Sequence, residues 1–236
     1  MEYNEFEELF MHLANEYNIK ISGDINKYYK YMNSIIEKNQ FINLTSIIEP
    51  KEFIIKHFID SLVVSSYLEG NRIIDIGTGA GFPGVPLAIN SSDKSFVLVD
   101  SVNKKLDVIR GTIKELNINN IEVIHSRAEE LANNGEYREK FDIAVSRAVA
   151  NLTTLVEYML PFVKVGGTCI CMKGPNYENE VDEARKAISI LGGEIEKVLN
   201  IDIEGNERNI IFIRKNNSTP TKYPRGQGKP LKEPIK

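Results

Sequence analysis

Alternate glycines follow an acidic residue within the segment 72–84. Asp75 lies near the end of an apolar run, and Gly77, Gly79 and Gly81 come directly after it. Glycine adopts positive φ angles and lacks a Cβ atom, so such a turn bends sharply and lets a ligand lie against bare backbone. The segment therefore predicts a nucleotide-binding loop, and other parts of the sequence must decide which nucleotide it holds.

Two classes of nucleotide fit this loop. The run Gly79-x-Gly81-x-x-Gly84 matches the dinucleotide fingerprint, with Asp100 at the end of the next predicted strand as its ribose-binding acid. Read from Asp75, the run Asp-x-Gly-x-Gly-x-Gly matches the loop that binds the amino acid part of S-adenosylmethionine. A glycine turn without any ligand is disfavoured, because glycine weakens a strand–helix junction unless something needs the space.

The later part of the chain favours S-adenosylmethionine. Two strands, predicted at 195–203 and 210–213, form a closing hairpin of the kind that ends a methyltransferase sheet. A dehydrogenase would add a second half-sheet or a substrate domain, for which no chain remains. Glu129 also begins a helix after the third predicted strand, where its carboxylate could bind an adenine amino group.

Asp100 and Glu129 each have a structural alternative. Asp100 is expected to accept hydrogen bonds from both ribose hydroxyls, but it could also cap the helix that begins at residues 101–104. Glu129 could equally be a first-turn acid that the helix dipole favours. The two roles of Asp100 are compatible with each other.

The residues after the fourth predicted strand limit the reaction chemistry. Segment 146–150 reads Ser-Arg-Ala-Val-Ala and lacks the Asn- or Asp-Pro-Pro-aromatic motif of enzymes that methylate exocyclic amines. Carbon methylation of cytosine needs a thiolate, but Cys169 and Cys171 fall inside a predicted strand and are expected in the core. An acceptor that is already nucleophilic remains, such as guanine N7, for which in-line positioning can supply most of the acceleration.

Short apolar runs that alternate with helical stretches predict an α/β fold with a buried parallel sheet. Seven strands are predicted, the last of them antiparallel, at 73–76, 96–99, 122–124, 142–145, 168–172, 195–203 and 210–213. The intervening helices are predicted at 84–89, 104–116, 128–133, 152–163 and 178–191, and Gly166-Gly167 and Gly192-Gly193 are expected to end the last two. The pattern predicts the Rossmann-like sheet of a class I S-adenosylmethionine-dependent methyltransferase.

Helical spacing of apolar residues dominates the N-terminal part of the chain. It predicts helices at 4–17, 24–38 and 50–68, the second with Asp24 as its N-cap. We therefore predict an N-terminal helical module at 1–68 and a methyltransferase domain at 69–215. A Pro- and Gly-rich basic tail, in which order is expected to decline, follows at 216–236.

Composition excludes several classes of protein. A net charge of −4 argues against a protein that coats nucleic acid through its overall field. No apolar run approaches the roughly 18 residues of a membrane span, and no secretory signal is present, so a cytoplasmic location is expected. Two Cys and three scattered His do not make a zinc site, so no metal is expected.

Five segments resemble the glucose-inhibited division protein B family of bacterial 16S ribosomal RNA guanine-N7 methyltransferases. They begin at Asn43 (Asn-Leu-Thr-Ser), His57 (His-Phe-Ile-Asp-Ser), Asp75 (Asp-Ile-Gly-Thr-Gly-Ala-Gly-Phe-Pro-Gly), Ser146 (Ser-Arg-Ala) and Lys222 (Lys-Tyr-Pro-Arg). The resemblance spans nearly the whole chain, in order. It implies cofactor contacts at Gly77, Phe82, Ala128, Glu129 and Arg147.

Three side chains near the expected site have open roles. The resemblance places Arg147 against the cofactor or the guanine, whereas a structural ion pair is the alternative for a cation so close to a cationic methyl donor. His57 and Asp60 share one helix face and either pin that helix or contact RNA. Thr78 replaces an alanine common in the family, and its side chain is expected to point away.

Basic residues beyond the cofactor loop predict an RNA-contact surface. Its expected members are Lys173, Arg208, Lys222, Tyr223 and Arg225, of which Tyr223 would stack on an unpaired base. The alternative is a merely solvated basic tail. An acidic protein with a small basic patch should bind naked RNA poorly, so the assembled small ribosomal subunit with its 16S rRNA is the expected partner. A non-catalytic RNA-binding assembly factor that retains a cofactor pocket is the competing hypothesis.

Overall fold

The computed structural model describes residues 1–147, 150–175, 177–226 and 228–235. Ala148 of the Ser-Arg-Ala segment and Lys236 of the basic tail lie outside these residues. A seven-stranded sheet with the order β3-β2-β1-β4-β5-β7-β6 forms the centre of the protein. Its strands are β1 Arg72–Ile76, β2 Ser95–Asp100, β3 Ile121–His125, β4 Phe141–Arg147, β5 Val163–Lys173, β6 Gly193–Ile203 and β7 Asn206–Lys215.

The strands pair as the sequence predicts. β1 pairs in parallel with both β2 and β4, β3 adds to β2, and β5 adds to β4. β7 runs antiparallel between β5 and β6, so the closing hairpin is confirmed. The expectation that Gly166-Gly167 ends a helix is wrong, because both glycines lie inside the long strand β5. The helix before it already ends at Met159 and passes through a short 3₁₀ turn.

Helices cover both faces of the sheet. They are α1 Tyr3–Glu16, α2 Ile25–Lys38, α3 Pro50–Phe53, α4 Asp60–Leu62, α5 Gly84–Asn90, α6 Asn103–Glu115, α7 Ala128–Leu131, α8 Leu152–Met159, α9 Tyr177–Ile190 and α10 Lys229–Lys232. Asp24 caps α2 as predicted, since its side chain accepts a hydrogen bond from the Asn26 amide. The third predicted helix is more irregular than expected, because the turns between α3 and α4, at Ile54–Ile59, are π-helical.

The alternation of side chains along each strand divides the core into two layers. One layer joins the N-terminal helices to one sheet face, with Phe10 and Tyr28 in the same cluster as Ile73. The other layer lies under α8 and α9 and includes Ile74 and Cys171. The N-terminal helices thus share a core with the sheet, and the boundary at residues 68/69 stays a prediction.

The C-terminal segment is ordered, which corrects the sequence expectation. Tyr223 and Ile235 belong to the second core layer, and α10 lies within the segment. The Arg138 guanidinium donates to the carbonyls of Thr219 and Tyr223, at 2.9 Å each. Proline and glycine prevented a long helix or strand here, but tertiary contacts with the sheet domain fix the chain instead.

Candidate active site

The glycine loop lies at the carboxyl edge of the parallel sheet, directly after β1. Gly77, Gly79 and Gly81 have φ angles of 74°, 59° and 88°, a region that side chains with a Cβ disfavour. The Gly77 amide donates to the carbonyl of Val99 at 2.8 Å, which ties the loop to the end of β2. The glycines are therefore required by the backbone path.

Gly81 is also required by its surroundings. A Cβ atom there would overlap the hydroxyl of Tyr31, which donates to the carbonyl of Ala80 at 2.8 Å. Tyr31 comes from α2 and is fully buried. The N-terminal helices thus support the loop from behind, a contact that the sequence did not reveal.

Asp75 is turned into the protein and away from the cleft. Its Oδ2 atom accepts from the Thr78 hydroxyl at 2.6 Å and from the Gly84 amide at 2.9 Å. Complete burial raises the pKa of Asp75 to about 7. Its Oδ1 atom has no hydrogen-bond partner among the described residues. The Thr78 side chain was expected to point away from the loop's contacts. Instead, its buried hydroxyl donates to the Asp75 carboxylate and holds it in place.

Asp100 ends β2 beside the loop and already organises two backbone segments. Its Oδ2 atom accepts from the Gly79 amide and its Oδ1 atom from the Val102 amide, both at 2.9 Å. The contact with the Val102 amide resembles the helix-capping role that was the alternative for Asp100. The N-cap residue of α6 is nevertheless Val102 and not Asp100. A carboxylate can accept further hydrogen bonds, so these contacts leave the ribose-binding role possible.

A cleft of about 400 Å³ opens in front of the loop. Predicted residues in its lining are Gly77, Gly79, Asp100, Ala128, Glu129 and Arg147. Polar residues that the sequence analysis did not single out complete it: Ser101, Lys105, Ser126, Arg127 and Tyr158. Tyr158 comes from α8, two residues before the 3₁₀ segment, and no sequence motif marks it. The lining does not include Asp75, Gly81 or Phe82, which lie behind the loop.

Arg147 lies at the end of β4 and is held by the irregular helix. Its Nη1 atom donates to Asp60 Oδ2 at 2.8 Å and to the Lys56 carbonyl at 2.9 Å, and its Nη2 atom donates to His57 Nδ1 at 3.0 Å. Asp60 is buried and also accepts from Arg208 Nε at 2.7 Å. The structural ion pair therefore exists, and Arg147 lines the cleft at the same time.

His57 is a neutral acceptor for Arg147. Arginine only donates, so His57 Nδ1 carries no proton, and Nε2–H donates to the Thr45 hydroxyl at 2.8 Å. Burial and the nearby Arg147 charge lower the pKa of His57 to about 3. The ring stacks on Phe82 with 4.2 Å between centroids. Phe82 thus links the glycine loop to the support of Arg147.

Several predicted RNA contacts have internal partners instead. Lys173 is buried, and its ammonium donates to the Ala150 carbonyl and pairs with Glu180, both at 2.7 Å. Arg225 makes a two-point ion pair with Glu157. Tyr223 is only 9% exposed, so the expected stacking on an RNA base is corrected to a packing role. Lys222 is exposed, and Arg208 is partly exposed beside Asp60.

The cysteines occupy the core, as expected. Cys169 and Cys171 are fully buried, and burial raises the pKa of both thiols. A thiolate nucleophile is therefore disfavoured at both positions. Within the described residues, no group of three or more His, Cys, Asp or Glu could hold a metal ion. The same residues include no helix long and apolar enough to cross a membrane.

The cleft fits a nucleoside that carries an amino acid group. Its volume suits a small ligand, its loop offers backbone instead of side chains, and Asp100 and Glu129 provide two carboxylates in its lining. The negative charges of Asp100 and Glu129 attract a cationic sulfonium and repel a pyrophosphate, so the cleft suits S-adenosylmethionine better than a dinucleotide.

The sheet order and the glycine loop define a class I S-adenosylmethionine-dependent methyltransferase. Among solved structures, the S-adenosylmethionine-dependent O-methyltransferase from Thermotoga maritima aligns with a TM-score of 0.52, covering 79% of this chain and 72% of that chain. The two sequences are 17% identical, so the likeness concerns the fold alone. The fold class predicted from the sequence is confirmed.

The chain belongs to the GidB family, whose model is described as rRNA small subunit methyltransferase G and matches residues 24–211. A relative with the name Ribosomal RNA small subunit methyltransferase G from Desulfitobacterium hafniense is 46% identical over 98% of each chain. A protein of that name from Alkaliphilus oremlandii is 45% identical over 98% of this chain and all of its own. The family resemblance is therefore confirmed.

Proposed function

We propose that this protein transfers a methyl group from S-adenosylmethionine to N7 of a guanine in the 16S rRNA of the small ribosomal subunit. The observation that carries the proposal is the cleft at the carboxyl edge of the sheet, where the glycine loop, Asp100, Glu129 and Arg147 meet. The family match over residues 24–211 supplies the class of substrate. Subunits are assembled in the cytoplasm, which is therefore the proposed location.

Each wall of the cleft has a proposed contact with the cofactor. The backbone at Gly77 and Gly79 faces the amino acid part, and Asp100 accepts from the ribose hydroxyls. Glu129 and Ala128 at the start of α7 bind the adenine. Asp75, Gly81 and Phe82 act indirectly, since they fix the loop from behind. The bound cofactor supplies a methyl group activated by its positive sulfonium.

Arg147 is proposed to touch the cofactor or the guanine and to orient the reacting groups. Asp60 and His57 hold its guanidinium at three hydrogen-bonding points together with the Lys56 carbonyl. Arginine does not lose its proton in proteins, so this side chain cannot act as a base. Guanine N7 has a lone pair and no proton to lose, so its methylation needs no general base. Orientation of the reacting groups is therefore the main requirement.

The RNA-contact surface is proposed to include Lys222 and Arg208. Lys222 is exposed, and Arg208 is partly exposed and held at one point by Asp60. Lys173 and Tyr223 are buried, and both ends of the Arg225 guanidinium are held by Glu157. A small set of exposed cations on an acidic protein gives weak, salt-sensitive binding to naked RNA. The assembled subunit, which presents RNA in a fixed shape, is therefore the proposed substrate.

The proposal is tested with labelled S-adenosylmethionine and small subunits purified from cells that lack this protein. We expect stoichiometric label in the small-subunit rRNA and none in large subunits. Glu129→Gln should weaken cofactor binding, whereas Glu130→Gln, an exposed neighbour on α7, should leave transfer unchanged. Tight binding of small subunits without any transfer would favour the non-catalytic assembly factor instead.

A further inference from the structure

The C-terminal segment is attached to α8 by a buried ion pair. Arg225 donates from Nε to Glu157 Oε1 at 2.9 Å and from Nη2 to Glu157 Oε2 at 2.7 Å, and its backbone amide donates to Oε1 at 2.8 Å. Glu157 is fully buried. Three hydrogen bonds to one buried carboxylate fix this part of the segment firmly, because charge-assisted two-point pairs are among the strongest.

A few residues further on, the same segment reaches the wall of the cleft. The Gly228 amide donates to Glu129 Oε1 at 3.3 Å. Gly228 has a φ angle of 69° and forms the N-cap of α10. Beyond it, the Thr154 hydroxyl of α8 donates to the Pro230 carbonyl at 2.9 Å. The segment thus bridges α8 and α7 at Glu129.

Glu129 is buried and also has a charged neighbour, Arg127. Arg127 lies 3.8 Å from the same Oε1 atom and is 59% exposed, so this pair is long and weakly held. Tyr158, which follows Glu157 on α8, also lines the cleft. Of these two contacts to Glu129 Oε1, the one from the Gly228 amide comes from the segment that the Arg225–Glu157 pair anchors.

We propose that the described residues 225–226 and 228–232 act as a positioning strap for the cofactor site, in which the Arg225–Glu157 pair anchors the chain and the Gly228 amide orients the Glu129 carboxylate. The inference rests on the proposed role of Glu129 in S-adenosylmethionine binding. A carboxylate whose Oε1 atom is already held presents Oε2 in one direction and loses less rotamer freedom on binding. The basic tail thus serves the cofactor site as well as any contact with RNA.

The first test is truncation after Gly226, with cofactor affinity measured by calorimetry. This change removes the Gly228 amide but leaves the Arg225–Glu157 pair intact, so the buried Glu157 carboxylate keeps its partner. We expect the Kd for S-adenosylmethionine to rise roughly five- to tenfold, the effect of one lost hydrogen bond and its ordering. Lys186→Ala, at an exposed position of α9 outside this segment and the cleft, is the control and should leave the Kd unchanged.

The second test asks whether the strap acts through Glu129. In a Glu129→Gln background, the truncation should add little to the loss of affinity, because the two changes remove one coupled interaction. The paired variant Arg225→Gln/Glu157→Gln, which removes both charges of the anchor, should behave in the same way and serves if the truncated chain does not fold. Equal effects of the truncation in both backgrounds, or an unchanged Kd, would overturn the proposal. Failure of the wild type to bind the cofactor would instead overturn the proposed function.

Discussion

At the scale of single residues, the geometry around Arg147 matters more than its charge. Its guanidinium meets a carboxylate, an imidazole and a carbonyl at once, and a lysine ammonium cannot reproduce that planar fork. Arg147→Lys should therefore lower kcat for methyl transfer at least about tenfold while thermal unfolding changes little. Arg110→Lys, in an exposed ion pair on α6, is the matched control. Unchanged turnover in Arg147→Lys would reduce Arg147 to a structural ion pair.

Asp75 and His57 give opposite pH dependences of stability. The raised pKa of Asp75, about 7, makes the folded state bind a proton more tightly than the unfolded chain, so stability falls as pH rises from about 4 to 7. The lowered pKa of His57, about 3, makes the folded state resist protonation, so stability rises with pH between about 3 and 6.5. The two contributions largely cancel in the wild type.

Asp75→Asn should uncover the His57 contribution. We expect the free energy of unfolding of this variant to rise with pH between 4.5 and 6.5 more steeply than that of the wild type, by about 1.4 kcal/mol per pH unit at most. Urea titrations across this range measure the slope. Asp182→Asn, at an exposed position, should follow the wild-type curve. Parallel curves for Asp75→Asn and wild type would show that the Asp75 carboxyl titrates normally.

Residue roles were the part that the sequence predicted least well. Spacing identified Asp75, Asp100 and Glu129 correctly as residues around the loop, but it could not show which way each carboxylate turns. Asp75 faces Thr78 and Gly84 on the sheet face that the N-terminal helices cover, because strand alternation places it on the same face as Ile73. Tyr31 of α2, which supports the loop on that face, lies 44 residues before Asp75 in the sequence.

At the scale of elements, the glycine loop is constrained from two sides. Gly81 combines a φ angle of 88° with close contact to Tyr31, so Gly81→Ala should reduce the free energy of unfolding by about 1 to 3 kcal/mol. Gly111→Ala, in the interior of α6 with open space around it, should instead stabilise the protein by roughly 0.5 to 1 kcal/mol. Chemical denaturation of both variants makes the comparison, and equal effects would contradict it.

The regular elements followed from periodicity, whereas their irregularities did not. The strand and helix pattern predicted the order and type of the sheet elements because buried parallel strands are continuous apolar runs. The π-helical turns at Ile54–Ile59 have no distinct local signature. They bring the Lys56 carbonyl, His57 and Asp60 to one side chain, Arg147, and such turns often occur at functional sites.

At the scale of the whole molecule, the C-terminal segment shows why composition misled. Proline and glycine predicted little order, but Arg138, Glu157 and Thr154 hold this segment through contacts 68 to 85 residues apart in sequence. Such long-range pairs leave no local pattern. Among the residues of the segment that the structure describes, the exposed cations are Lys222, Lys229 and Lys232.

Those exposed cations should determine the salt dependence of subunit binding. Replacing all three lysines with glutamine should weaken binding to small subunits and reduce the slope of log K against log salt by about 2 to 3. The charge-matched control removes three exposed lysines elsewhere on the protein, Lys20, Lys114 and Lys186. If both triple variants lose the same amount of slope, the tail is merely solvated and the attraction is a property of overall charge.

The most direct test of the whole account is the chemistry of the modified base. Small subunits lacking the modification are incubated with the protein and S-adenosylmethionine, and their rRNA is then treated with borohydride and aniline, which cleave at N7-methylguanine. We predict one new cleavage site in the small-subunit rRNA, dependent on both protein and cofactor and lost in Arg147→Lys. Methyl incorporation without cleavage would contradict N7 as the acceptor, and the absence of incorporation would contradict the enzyme.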